Sequence, residues 1–227
     1  MHIGSPPDKL RGMSTHLNMD SILQRAPESR DDEWEKAFLH IFPESRLRIL
    51  EETPTQGPDG FPYLMVSIDN EGTEPTAKVL DWLSDKGIGL VVNPFGTMPD
   101  YVFTFGQVWN FKERGVFNSE FDPSRLGQFK LEKGQKIHVG EPTQEYLPTY
   151  IREILRAFFS NMGKKSVKIL MMSEDRKHYD LCISLESLGS PKKEEHRGIL
   201  EAISWFLPGH YSLAMVSEKG MPEFFSL

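Results

Sequence analysis

A single cysteine, Cys182, stands among 227 residues. One thiol excludes an intramolecular disulfide and places the chain, by default, in a reducing cytoplasm. No apolar run approaches the roughly 18 residues of a membrane-spanning helix, so no membrane partner is expected. The first twelve residues, with Pro6-Pro7, lack the charged-then-apolar layout of a secretory signal. A basic excess is missing too: 26 Lys and Arg face 33 Asp and Glu, a formal charge of −7. Residues 136–227 carry 12 acidic and 12 basic side chains, and residues 1–135 carry 21 and 14, so the whole excess lies in the first part. An acidic half has no phosphate-tracking footprint, which argues against nucleic acid as a partner.

The residue patterns of catalysis and cofactor binding are equally sparse. The seven histidines are His2, His16, His40, His138, His178, His196 and His210. None stands at ligand spacing from another histidine or from Cys182, so no metal site is expected. There is no Gly-x-Ser-x-Gly elbow. Gly87-Ile88-Gly89 precedes its strand, the wrong side for a dinucleotide fingerprint, and no cofactor is expected. Cys182 falls at a polar position of an alternating strand, facing outward with no base beside it. The adjacent acids Asp31-Asp32-Glu33, Glu51-Glu52 and Glu194-Glu195 point apart on a helix or strand and do not converge on a substrate. No catalytic residue is assigned.

What the chain does have is sharp punctuation around periodic segments. Gly87-Ile88-Gly89-Leu90-Val91-Val92-Asn93-Pro94-Phe95-Gly96 is the clearest case. A helical pattern ends at Gly87, Ile88–Val92 reads as a strand buried on both faces, and Asn93-Pro94 with Gly96 forces a turn. The spacing predicts, in order, helix 31–42, strands 46–51 and 61–68, helix 74–86 and strands 88–92 and 101–105. Val108–Lys112 adds a short helical stretch. The second part predicts helix 145–161, strands 167–172 and 178–186, helix 193–207 and strands 211–216 and 221–226. Both parts therefore read α-β-β-α-β-β with a period of about 110 residues, a repeat of pattern rather than of residues. In strand 178–186, Tyr179, Leu181, Ile183 and Leu185 alternate with polar positions, the pattern of a half-buried strand.

The expected fold class is α+β: two similar halves, each an antiparallel-rich four-stranded sheet with helices packed on it. The boundaries are a disordered or vector-derived tail over 1–30, a domain over 31–114, a packed linker over 115–135 and a domain over 136–227. Phe117, Phe121 and Phe129 are the linker's anchors.

Several short motifs carry a family resemblance. Val139-Gly140-Glu141-Pro142, Tyr146-Leu147-Pro148 and Tyr179-Asp180-Leu181-Cys182-Ile183-Ser184-Leu185 resemble the C-terminal domain of SseB-like (enhanced serine sensitivity) proteins. Gly89-Leu90-Val91-Val92-Asn93-Pro94 is similar to a signature of the family's N-terminal domain. The resemblance implies a bacterial cytoplasmic protein of two α+β domains, with no established catalytic residue and no cofactor.

The functional expectation is a non-enzymatic interaction or regulatory protein with a protein partner. Asn93, Pro94 and Phe95 form the candidate contact loop, and Lys164, Lys165, Lys168, Arg176 and Lys177 a candidate basic patch. Two other readings stand beside it: an enzyme or metabolite binder using a cleft between the halves, and an acidic immunity-type inhibitor of a basic toxin.

Overall fold

Alternation along the strands decides the architecture of the computed structural model, which describes residues 18–118, 126–127 and 136–227. The first sheet contains β1 (Arg46–Ile49), β2 (Thr55–Gln56), β3 (Pro62–Ser67), β4 (Glu74–Pro75), β5 (Gly89–Val92) and β6 (Tyr101–Phe103). Its order is β4-β1-β3-β5-β6, with β2 also on β3. β1 and β3 are antiparallel, and β3 and β5 are parallel because helix α3 (Thr76–Ser84) makes the crossover between them. The second sheet contains β7 (Leu126–Gly127), β8 (His138–Gly140), β9 (Lys168–Ser173), β10 (Asp180–Ser184), β11 (Ser212–Val216) and β12 (Phe225–Ser226). β9 and β10 are antiparallel, and β10 and β11 are parallel across helix α6 (Lys193–Phe206).

The α+β class stands, and the main elements of both halves keep the α-β-β-α-β-β order, but each sheet is mixed and has six strands rather than four: the short β2 and β4 join the first and β7 and β8 the second, with β3–β5, β10–β11 and β11–β7 parallel. The halves differ in their last strand. β6 lies against β5, whereas β12 lies against β9 and leaves the free side of β11 to β7.

Chemistry at the element ends corrects several boundaries. Strand 101–105 stops at Phe103 because Thr104 and Gln107 form a capping box that starts α4 (Phe105–Arg114), twice the length expected there. Pro148 delays α5 to Thr149–Asn161. The 1–30 stretch departs from disorder where it is described. Asn18 caps a short helix, α1 (Met19–Leu23), whose Met19 and Ile22 are buried, and the Trp34 indole donates to the Ile22 carbonyl at 2.9 Å. Trp34 belongs to α2 (Asp32–Ile41), capped by Asp31. Residues 1–17 and the linker anchors Phe121 and Phe129 lie outside the described residues, whereas Phe117 is buried.

Three cores follow from the alternation. Leu64, Val66, Leu90, Val92 and Phe103 face one side of the first sheet, into a core shared with α1, α2 and α3. Leu90, Val91 and Val92 are all buried, as the apolar run predicts. Phe61, Tyr63, Met65, Val91 and Val102 face the other side. There they meet α5 and α6, which also cover Ile169, Leu181, Ile183 and Leu213 of the second sheet. The two helices of the second half thus form a layer between two sheets. Phe61 stacks on Phe158 of α5 at 4.8 Å and on Phe206 of α6 at 4.2 Å.

The third core covers the far face of the second sheet with Leu170, Met172, Cys182, Ala214 and Phe224. β10 is therefore buried on both faces rather than one, and Cys182 points into this core instead of outward. On the outer side of α3, Trp82 lies 46% exposed beneath Lys86. Among the described residues no helix is long and apolar enough to cross a membrane.

The seam closes to backbone contact. A Cβ on Gly106 of α4 would lie 2.2 Å from the Leu207 carbonyl oxygen, just past α6. Nothing lies within 4 Å of a Cβ on Gly198, inside α6. Gly106→Ala is expected to cost about 1–3 kcal/mol by overpacking. Gly198→Ala is expected to raise stability by up to about 1 kcal/mol through helix propensity. Urea unfolding of the two variants measures both, and equal midpoints would contradict the close approach.

Candidate functional site

The β5–β6 loop leaves the carboxyl end of a parallel strand pair, where open sheets place ligand sites. It departs through Asn93, which sits at φ 51°, a left-handed conformation that asparagine tolerates better than most side chains. The Asn93 backbone N–H donates to Val66 O at 2.8 Å, and its Oδ1 accepts from the Ile68 N–H at 2.8 Å. Its Nδ2 donates to Asp100 Oδ2 at 2.7 Å, while the Asp100 N–H returns to Val92 O at 2.9 Å. The loop from 93 to 100 is thereby pinched shut at its base. Arg30 then clamps Asp100 from outside, with Nη2 2.7 Å from Oδ1 and Nη1 3.2 Å from the backbone oxygen. The guanidinium lies 4.6 Å above the Trp34 ring, a cation–π contact that fixes it from below.

Above this base Phe95 is 68% exposed and Met98 77%, and Pro94 is half-buried. Phe95 and Met98 rim a hollow of about 850 Å³ between the loop, the end of β3 and the segment from Pro27 to Trp34. Its lining includes the acids Glu28, Asp69 and Asp100 against one cation, Arg30. Asp69 accepts from Arg48 Nη2 at 2.6 Å and from the Ser67 hydroxyl at 2.6 Å. The Arg48 hydrogen bond foremost, then Ser67, holds its carboxyl down at about 2, well below the ordinary 3.8.

The second half repeats this cluster at the matching place. Arg48 pairs with Ser67 across β1–β3, and Lys168 stands opposite Ser184 across β9–β10, one step beyond the Ile183–Ile169 pair. The Ser184 hydroxyl donates to Glu218 Oε1 at 2.5 Å, and Lys168 Nζ lies 3.0 Å from Glu218 Oε2. A cation, a carboxylate and a serine at equivalent strand ends thus recur without recurring in sequence, since Asp69 follows β3 while Glu218 follows β11.

The basic residues do not gather into one patch. Lys164, Lys165 and Lys168 lie at the start of β9, whereas Arg176 and Lys177 lie beyond its end. Six strand residues put about 20 Å between the two groups. Lys168 is moreover engaged by Glu218, and Arg176 donates from Nε to the His138 ring at 3.2 Å. Nor is Cys182 a nucleophile: burial raises its thiol to about 12. Among the described residues no three His, Cys, Asp or Glu side chains converge where they would hold a metal.

Sequence reasoning named Asn93, Pro94 and Phe95 but missed Arg30, Asp69, Asp100 and Met98. The Asn-Pro turn marks the loop's start, and a second proline turn, Met98-Pro99-Asp100, marks its end. Nothing local marks Arg30, which lies 70 residues from Asp100. Comparisons with family models, curated proteins and solved structures found no match to this chain.

Two outcomes test the loop base. Asn93→Ala removes both side-chain bonds and forces alanine to φ 51°, so it is expected to cost about 1–3 kcal/mol in urea unfolding. Asn93→Gly tolerates the backbone angle and is expected to cost less. The Asp69 carboxyl is lower in the folded chain, about 2 against 3.8. Its contribution is therefore fully present above the ordinary value and lost as pH falls through the folded one. Asp69→Asn is expected to flatten the fall of the urea midpoint across that acid window, and an unchanged slope would contradict the assignment.

Proposed function

We propose that the chain is a non-catalytic interaction protein that grips a polypeptide partner at the β5–β6 loop. The observation that carries this reading is the combination of two exposed large apolar side chains, Phe95 and Met98, on a loop whose base is pinned by Asn93, Asp100 and Arg30. Exposed aromatic and methionine side chains on a preorganised support are the usual energetic centre of a protein contact. A rigid base also spares the binding step the loss of loop entropy.

The chemistry of the hollow favours one kind of partner. Three acids line it against one cation, and the first half holds the chain's entire acidic excess. A segment presenting Lys or Arg beside apolar side chains complements it. An acidic inhibitor of a basic protein is one form of such an activity. The middle of the seam between the halves is filled by Phe61, Phe105, Phe158 and Phe206, which weighs against a substrate cleft there.

Affinity capture from the source cell, with the wild-type chain and a Phe95→Asp/Met98→Asp variant side by side, tests the reading. A specific partner is expected to be held by the wild type and bound about 30-fold more weakly by the variant, as for loss of a hot-spot contact. Raising salt is expected to weaken the complex further. A partner held equally by both proteins would place the contact elsewhere and overturn the proposal.

A further inference from the structure

A second hollow, of about 610 Å³, opens at the rim of the seam, remote from the β5–β6 loop. Its size falls within the range of small-molecule sites. It lies at the amino ends of the parallel strands β10 and β11, which begin at Asp180 and Ser212. The second half supplies Tyr146, the turn Lys177–Asp180 and the segment His210–Ser212, and α4 of the first half supplies Arg114.

The aromatic wall is built to hold its shape. Tyr146 and Tyr211 stack at 4.4 Å with 14° between their planes, and the Tyr179 ring stands 6.3 Å from Tyr146 at 61°. The Tyr211 hydroxyl donates to the Tyr146 carbonyl oxygen at 2.5 Å, and Trp109 backs Tyr211 edge-on at 5.6 Å. The Tyr146 loop is fastened from beneath by Arg152, itself only 4% exposed. Arg152 donates to the carbonyl oxygens of Leu147 at 3.0 Å and Pro142 at 2.5 Å, and its Nη1 lies 3.3 Å from Glu141 Oε1. The segments Gly140-Glu141-Pro142 and Tyr146-Leu147-Pro148, prominent in the sequence, thus carry an aromatic platform to the edge of the seam.

The charge at this mouth is of the opposite kind to the first hollow. Arg114 and Lys177 line it, and neither side chain is in an ion pair among the described residues. The one carboxylate in the lining is Asp180; Asp175, outside it, is engaged by His178 and by the backbone N–H groups of Lys177 and His178. Unengaged cations beside fixed ring faces select a molecule that offers both an anion and a plane.

We infer that this hollow binds a small molecule in which a planar ring carries a phosphate or carboxylate group. The ring lies against the tyrosine wall, with Tyr179, the most exposed of the three, as its contact face. The anion meets Lys177 and Arg114. Because Arg114 comes from α4 and the rest from the second half, the ligand bridges the seam.

Isothermal titration calorimetry on the full chain tests this, with 1-naphthyl phosphate and 1-naphthoate as ring anions, 1-naphthol as the ring alone and inorganic phosphate as the anion alone. At least one ring anion is expected to bind saturably at one site, about 10-fold or more tighter than either half-probe. Whichever ring anion binds better identifies the group recognised. Lys177→Gln and Tyr179→Ser, both at exposed positions, are expected to weaken that binding about 10-fold, the effect of losing one charged hydrogen bond or one ring contact. Circular dichroism verifies that the variants fold, and Phe95→Asp is expected to leave the affinity unchanged. No saturable heat with either ring anion up to about 2 mM would overturn the assignment. So would inorganic phosphate binding as tightly as the ring anions, or both variants binding like the wild type.

Discussion

Phe61 projects from the first sheet and stacks on both Phe158 of α5 and Phe206 of α6, and Gly106 lets α4 approach the backbone at Leu207. Through these contacts one pair of helices serves two sheets. Stacked aromatic pairs add about 0.5–1.5 kcal/mol each beyond the apolar area they bury. The first sheet needs this layer, because Tyr63, Met65 and Val91 would otherwise face solvent. The second sheet needs it equally for Leu181, Ile183 and Leu213. Neither half, then, completes its core alone, although each has the sequence pattern of a self-sufficient unit.

That shared layer also determines where surface is left for function. One face of the first sheet is closed by α1, α2 and α3 and the other by α5 and α6, so its open features are its strand ends. The β5–β6 loop occupies the carboxyl ends of the parallel pair β3–β5, with an acidic hollow beneath Phe95 and Met98. In the second sheet the tyrosine-walled hollow occupies the amino ends of the parallel pair β10–β11 and takes Arg114 across the seam. The two hollows differ in the charge of their linings as well as in position.

Much of the fold was legible in the sequence because strand alternation and helix periodicity are local. Phe61, Tyr63 and Met65 do face one side and Leu64, Val66 and Ile68 the other, as their spacing requires. The buried run Leu90–Val92 needs no partner to be recognised. What was not legible depends on distance along the chain. The outward reading of Cys182 failed because Phe224, with Met221 beside it, returns to cover that face some 40 residues later. The 18–30 segment reads as polar and Pro-broken, yet Met19 and Ile22 are enough to seat it on α2 once Trp34 is there to receive them. For the candidate site, Asn93-Pro94-Phe95 announced a turn, while the Arg30 clamp and the Arg48–Asp69–Ser67 cluster exist only after strands separated in sequence have paired. The basic residues show the opposite error: neighbours in sequence at either end of one strand are far apart in space.

Because both sheets depend on it, the α5–α6 layer makes the two halves one cooperative unit. Native-state hydrogen exchange measured across increasing denaturant tests it most directly, because exchange reports the opening free energy of each segment separately. The slowest amides of β3 and β5 are predicted to open with the same free energy and the same denaturant dependence as those of α5 and β10. A first sheet that opens at clearly lower free energy, with α5 and β10 still protected, would show instead that the halves unfold as separate units.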